Sequence, residues 1–563
     1  MKEFVDVPVK RLGDLMQDLY AQGINKLTQA EQKNLVEHIN SFKYGTDVTA
    51  STDRVSAIAK TLEAHNNALM DEARSLDLPV APVSELSWPH ELIDKEKIDQ
   101  LNHRQFLLRS KQAATEGEAN IMVDKYVQNY SKGMSPLERE RTIHITNYDD
   151  FKKLGYDVNP ETAWASHYLP ILRRIEEAKQ FGINGSTLLP KLSELALTDP
   201  TASDIGKSLY MRLTNREPQD YAAKWFINKM TTFTYLQTAA SIAYTHIAAS
   251  KNIFVKTGFK NAISGLYRTL SDIVTKEDQE VLRRTGVTIE NIFSDYMQAG
   301  MDSRASRLYS KLNGITPLMN FQRKWTALAG EQWLGDIEKR ILANPEDKIA
   351  NQELKELFID PKKVVAENGI NQFDKEIAMK RISDTTVGRT RPTELPHFWS
   401  SPYGKQVTMY HKLAFVNTKF LKDEFKKYPI STAYRTIAAT IPTSWILWRV
   451  RTAISGQDPG EGIDQLINRI ALQQTLGTIY ETWHGLTASK ERAFGTALGA
   501  PATVPVSMLY IHTKYLQDWA NGDATDAEFQ NMMRNGLPGQ TLRMIPYGLG
   551  QRILDEIFPP QTK

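Results

Sequence analysis

Apolar residues in this chain return at three- and four-residue steps behind polar capping residues, and almost nowhere do they alternate. That is the pattern of helices that each bury one stripe. Thr28-Gln29-Ala30-Glu31 is a capping box: the threonine oxygen takes an orphan N–H at the helix start, and the glutamate reaches back. Leu35, Val36, Ile39 and Phe42 follow as its inward stripe. Ser135-Pro136-Leu137-Glu138, Thr275-Lys276-Glu277-Asp278 and Thr525-Asp526-Ala527-Glu528 repeat the device. A helix from roughly Asp53 to Ser75 carries Val55, Ile58, Leu62 and Leu69 on one side. Asn159-Pro160 opens another, with Trp164, Leu169, Leu172 and Ile175 inward. The best strand signal, Thr142 to Thr146, is five residues long. No heptad series or fixed-period repeat is present. The expected fold is all-α, an extended multi-helix array without a significant β-sheet.

At 563 residues the chain exceeds what one hydrophobic core usually serves. The proline-bearing connector Leu78-Pro79-Val80-Ala81-Pro82-Val83 marks one boundary. Four regions are expected: an N-terminal helical region, 1–88; a second, 89–215; a central helical domain, 216–430; and an apolar C-terminal helical domain, 431–563. Within the central one, Leu318, Phe321, Trp325 and Leu328 form a stripe that shifts phase after Gly330 to Leu334, Ile337 and Ile341. The shift predicts a bend or break there.

Three stretches are unusually poor in charge. Met230 to Ser250 has bilayer-spanning length but is rich in Thr and Ser, which leaves it either a buried central helix or a conditional membrane segment. Thr436 to Trp448 is too short to span and ends in Trp445 and Trp448, followed by Arg449. Aromatics beside arginine suit a membrane interface or a packed helix. Ala493 to Thr513 is uncharged, but Gly495, Gly499, Pro501 and Pro505 argue against a regular helix.

The residues offer little chemistry. There are no cysteines, which excludes disulfides, thiolate metal sites and cysteine nucleophiles. The start, MKEFVDVPVKRLGDLM, has no apolar core or cleavage site and is not expected to be a signal peptide. The eleven histidines form no HExxH. Gly206-Lys207-Ser208 lacks the glycine and preceding strand of a phosphate-binding loop. Neither catalytic residues nor a metal or cofactor site is expected. A formal charge of +3 makes any nucleic-acid contact local.

The most informative stretch runs from Arg391 to Tyr428, a proline-bearing lead-in to one long helix opened by Ser401-Pro402. Val407, Tyr410, Ala414, Asn417, Leu421 and Phe425 share a face, edged by Lys405, Lys412, Lys419, Lys422, Lys426 and Lys427. The candidate membrane or assembly contacts are Phe398, Tyr410, Phe415 and Phe425, with Trp445, Trp448 and Arg449. Lys405, Lys412 and Lys419 are the candidate phosphate contacts to DNA.

From about Tyr221 to the C-terminus the chain resembles the internal virion (ejection) proteins of short-tailed bacteriophages, and is similar to helical modules of large polyvalent phage proteins. The resemblance is carried by the Thr/Ala-rich stretch from Met230 followed by Asn252, by Asn320-Phe321-Gln322-Arg323 ahead of Trp325 and Trp333, by Arg391-Pro392 through Pro396-His397-Phe398 to Ser401-Pro402-Tyr403-Gly404 with Phe415, and by Leu537-Pro538-Gly539. Residues 1–215 carry none of it. The resemblance implies a protein packed in the capsid near the portal and ejected ahead of the genome into the host envelope. With no catalytic constellation in its residues, and no transglycosylase-like domain of the kind some such proteins carry, the chain is not expected to be an enzyme. The resemblance also implies assembly as a ring or tube with other internal virion proteins, the portal, phage DNA and the host membrane as candidate partners. A head-assembly scaffold and the non-catalytic part of a virion-packaged enzyme stay open as alternatives.

Overall fold

The chain is all-α. The computed structural model describes residues 6–44, 51–80, 86–92, 98–131, 143–214, 249–270, 275–287, 315–387 and 411–440. These divide into two units: residues up to 214 together with 275–287, and residues 249–270, 315–387 and 411–440.

The first unit holds α1 (Val7–Ala21), α2 (Gln29–Tyr44), α3 (Asp53–Ser75), α4 (Gln100–Arg109), α5 (Glu116–Ser131), α6 (Tyr148–Lys153), α7 (Pro160–Phe181), α8 (Leu188–Leu195) and α9 (Pro200–Leu213). The chain then gives α10 (Lys251–Leu270) to the second unit and returns with α11 (Lys276–Arg284). Both halves of the first capping box are made: Glu31 N donates to Thr28 Oγ1 at 3.3 Å and Thr28 N to Glu31 Oε2 at 2.9 Å. Asn159 Oδ1 likewise accepts from Glu161 N and Thr162 N, so α7 starts where its cap and Pro160 place it.

One continuous apolar core runs from Val9 to Ile175, so the boundary expected at 88/89 falls inside it. Trp88, fully buried, meets Trp164 edge-on at 5.8 Å and donates its indole N–H to Asp157 O. Withdrawing Trp88 from the core would leave a large cavity, so the segment just after the expected connector belongs to this core. Its backbone is satisfied by Asn40, buried on α2, whose Oδ1 accepts from Trp88 N while its Nδ2 donates to Thr146 O. The strand signal near Thr146 also resolves differently. Ile143 and Ile145 do point inward, but no neighbouring strand pairs with them. The Gln112 amide takes that place, accepting from His144 N at 2.8 Å and donating to His144 O at 2.6 Å. Among the described residues the only bridge is the isolated one between Leu92 and Tyr156.

Helix α11, expected in the central domain, packs instead on α1. Gly13 permits this, because a Cβ there would stand 2.5 Å from Arg284 O. Arg283 lies over the Tyr20 ring, 4.3 Å from its centroid.

The second unit adds α12 (Ile315–Ala343), α13 (Lys348–Glu356), α14 (Pro361–Ala366), α15 (Gln372–Thr386), α16 (His411–Lys427) and helical residues 429–440. Helix α12 is its axle, buried on nearly every side between Gln322 and Gly330. It does not break at Gly330; the phase shift records a change of neighbours. Phe321, Trp325 and Ala329 pack with α10, whereas Trp333, Leu334, Ile337 and Ile341 pack with α13, α14 and α15.

Helix α10 carries the kink. Gly258 sits at φ 79°, ψ 162°, which leaves a carbonyl of the preceding turn without its helical donor. Arg435 fills the gap, donating from Nη1 to Val255 O at 3.0 Å. Beyond the kink, Gly265 lies against Ala329 so closely that a Cβ would fall 2.7 Å from Ala329 N. Trp325 then reaches across to donate to Ala262 O at 2.7 Å.

Candidate functional site

Among the described residues, a deeply buried ion network lies within the second unit, where α10, α13 and α16 converge. Lys256 Nζ donates to Glu353 Oε2 at 2.6 Å and to Glu424 Oε1 at 3.0 Å. Lys427 Nζ lies 3.2 Å from Glu353 Oε1 and donates to Glu424 Oε1 at 2.7 Å. Two lysines and two glutamates therefore alternate around a square in which each ion touches both opposite charges. All four side chains are at most 7% exposed. A fifth group, the half-exposed Glu356, accepts from Lys427 at 2.8 Å and leads the square toward solvent. Trp333 on α12 closes one side, its ring centroid 4.7 Å from Lys256 Nζ.

The electrostatics follow from this arrangement. Burial alone would lower the Lys427 ammonium, but Glu424 and Glu353 outweigh it and raise its pKa above the ordinary lysine range. Burial of Glu356 is likewise outweighed by Lys427, which holds that carboxyl below its usual value. Alongside, burial and Glu353 push the Tyr428 hydroxyl up to about 12, opposed by Arg340. Arg340 is itself tied to Asp347, the cap of α13, by two bonds to Oδ2 of 3.1 and 2.8 Å. Two ammonium groups against three carboxylates, each committed to the other, leave no acid or base free to serve a substrate. The square's chemistry is structural: it fixes the register of three helices whose facing residues are 71 to 168 positions apart in sequence.

A second polar seam sits above it. Asn252, with no exposed surface, donates from Nδ2 to Asn417 Oδ1 at 3.0 Å and to Thr386 O at 3.3 Å. Gln322 donates to Ser250 Oγ at 2.6 Å, and burial pushes the neighbouring Lys251 ammonium down to about 8. The first unit has its own buried polar group in His103. Its Nδ1 lies 2.8 Å from Asp99 O, which can only accept, so Nδ1 carries the proton and Nε2 accepts from the Tyr156 hydroxyl at 3.0 Å. Burial holds the His103 pKa below the usual histidine value.

Of the residues marked from sequence, Phe425 and Lys419 are both exposed on α16. Phe415 and Lys412 lie on the same helix, in the part whose backbone alone is described. Trp445, Trp448, Arg449, Phe398, Tyr410 and Lys405 lie outside the described residues, as do Ala493 to Thr513 and all of the Met230 to Ser250 stretch but its last two residues. The inward face of α16 shares Asn417 and the half-buried Leu421 with the face read from the period, and its core contacts are polar as well as apolar. It presents Val416, Asn417, Glu424 and Lys427, and Phe425 turns outward. Lys427, read as an edge lysine, is buried because three glutamates receive it. The available signal was the Glu424–Lys427 pair at i, i+3, but Asp423 and Lys426, both exposed, share that spacing, so it does not by itself single out Lys427.

Among the described residues no group of three or more His, Asp or Glu is placed to hold a metal ion, and no helix is long and apolar enough to cross a membrane. Fold and site together define a helical module pinned by buried ion pairs. No family model, curated protein or solved structure matches the chain.

Proposed function

We propose that this chain is an internal virion protein of a short-tailed bacteriophage, a non-enzymatic helical protein carried in the capsid and ejected to help build a conduit for the genome. One observation carries the reading. Most of the described positions on which the resemblance rests converge on the interior of the second unit: Asn252, Gln322, Arg323, Trp325 and Trp333 are buried, and Asn320 and Phe321 are half-buried. There they bond helices to one another, through Asn252 to Asn417, Gln322 to Ser250 and Trp325 to Ala262 O. Residues that define a module by its packing suit a structural part better than an enzyme, whose signature residues face a cleft. The absence of cysteine suits a protein that crosses into an oxidising compartment. Helices, whose own hydrogen bonds are local, re-form quickly after passage through a narrow tail, where a non-local sheet would be slow. A homo-oligomeric ring or tube contacting other internal virion proteins, the portal and DNA completes the proposal.

Mass spectrometry of purified particles tests it. The chain is expected in full particles and missing from particles that have emptied their genome. Its absence from mature particles supports the scaffold alternative, and its retention after emptying rules out ejection.

A further inference from the structure

Two neighbouring helices of the second unit expose apolar residues at helical spacing. On α10 these are Ile263, Tyr267 and Leu270, and on residues 429–440 they are Ile430, Tyr434 and Ile437; each is more than half exposed, and Ile430 is 85% exposed. Within each helix the steps are four and three, so each set forms one stripe. The stripes meet where the Phe259 ring packs against Tyr434 at 6.3 Å. The opposite sides of the same helices hold Ala262 and Ala439 in the core, which fixes the stripes outward.

Charge decides what such a surface fits. Neither α10 nor residues 429–440 contains a single Asp or Glu. Lys251 and Lys256 are buried and Arg268 is paired with Glu331, which leaves Lys260 and the half-buried Arg435 as the positive charge on this face. Lys260 is exposed beside the α10 stripe. A second copy docking symmetrically would bring Lys260 and its equivalents together, which like charge disfavours. Duplex DNA would satisfy the cations but has no use for exposed Ile and Leu. An anionic lipid surface takes both: aliphatic side chains enter the acyl boundary, tyrosines sit at headgroup level, and lysine meets the phosphates. Since neither helix can span a bilayer, they would lie in its plane.

We infer that the face formed by α10 and residues 429–440 is an anionic-membrane docking surface. It names a surface for the delivery proposal and rests on that proposal only for its biological setting. The test is co-flotation of the full-length protein with vesicles of phosphatidylcholine alone and of phosphatidylcholine mixed with phosphatidylglycerol. Binding is expected to the mixed vesicles and to fall at least about tenfold on phosphatidylcholine alone. The variant Ile430→Ser/Tyr434→Ser/Ile437→Ser should lose flotation, and Lys260→Glu should weaken it roughly tenfold, both with an unchanged circular-dichroism melt. The inference is overturned by flotation that survives the triple substitution, by no flotation with either vesicle, or by a dimer of the wild type that the triple variant abolishes. Because no particle enters the assay, its outcome and that of the particle mass spectrometry fail independently.

Discussion

A lysine can sit at 3% exposure in an apolar bundle only if its charge is met on several sides, and Lys427 is met by Glu353, Glu356 and Glu424. Removing it leaves three carboxylates around one ammonium, so Lys427→Met is expected to destabilise the second unit by about 3–5 kcal/mol in a denaturant titration. Taking Glu424 away as well, in Lys427→Met/Glu424→Leu, leaves the Lys256–Glu353 pair neutral. The double variant should therefore lose less than the two single losses combined, a coupling of about 1–3 kcal/mol in a double-mutant cycle. Proton linkage gives a second measurement, with the same origin in both units, a base whose burial disfavours its proton. The lowered pKa of His103 means that the folded first unit resists a proton the unfolded chain accepts, so its stability is expected to fall as pH drops below 6.5. In the second unit Lys251 is pushed down from 10.5 to about 8, and folding there strains against its proton at neutral pH. Stability of that unit should rise between pH 8 and 10.5, and Lys251→Met should remove the rise. Thermal melts across this range, read with each variant, check both signs.

At the scale of the helix, the close approach of α10 to α12 is set by Gly265. The atoms a Cβ would strike, at 2.7 to 2.9 Å, include the Ala329 backbone, which cannot rotate aside. Gly265→Ala gains about 1 kcal/mol of helix propensity and still loses about 1–3 kcal/mol by overpacking, and Gly265→Val loses more. Melting of the second unit checks the order wild type, Ala, Val. Helix boundaries were the most legible part of this chain. Asp53–Ser75 lies where its apolar period placed it, and Thr28 and Asn159 cap as their residue types dictate, because these interactions are local. What was not legible depends on partners distant in sequence. Nothing beside Gly330 reveals that α12 changes neighbours there rather than direction, and nothing beside Lys256 reveals Glu353 or Glu424, 97 and 168 residues on. The alternation at Ile143 and Ile145 reads as a short strand, but its hydrogen-bond partner is the single side chain of Gln112, which no strand rule anticipates. At Phe425 the period of α16 left open whether the aromatic residue faces the core or solvent, and the paired charges of the square, which take the inner side, leave it outward.

For the whole chain, topology sets the order of assembly. The α10–α12 pair in the second unit closes a modest loop, with Trp325 and Ala262 63 residues apart. The first unit is complete only when α11 reaches α1, where Arg283 and Gln17 are 266 residues apart and the intervening chain contributes α10 to the other unit. Loop closure alone makes the longer contact costlier by about 1.3 kcal/mol, roughly tenfold in rate if all else is equal. Refolding after complete unfolding should thus show two phases: α10–α12 first, α11 onto α1 last. The lack of cysteine lets each contact be followed by itself, since an introduced pair of thiols is the only pair to label. Dyes at Ala21→Cys and Gln279→Cys report the α1–α11 contact, and both positions are exposed. A pair at Lys260→Cys and Lys339→Cys, exposed on α10 and α12, reports the other. Energy transfer is expected to appear at least several-fold later for the first pair in stopped-flow refolding. Gly13→Ala should delay or abolish that late phase alone, because its Cβ would meet the Arg284 carbonyl at 2.5 Å while leaving the second unit untouched. For a chain proposed to pass unfolded through a tail, the consequence is a sequence of events: the second unit, which bears the lipid-facing stripes, re-forms before the first is closed. Simultaneous appearance of the two signals would remove that ordering and with it the role of α11 as the last latch.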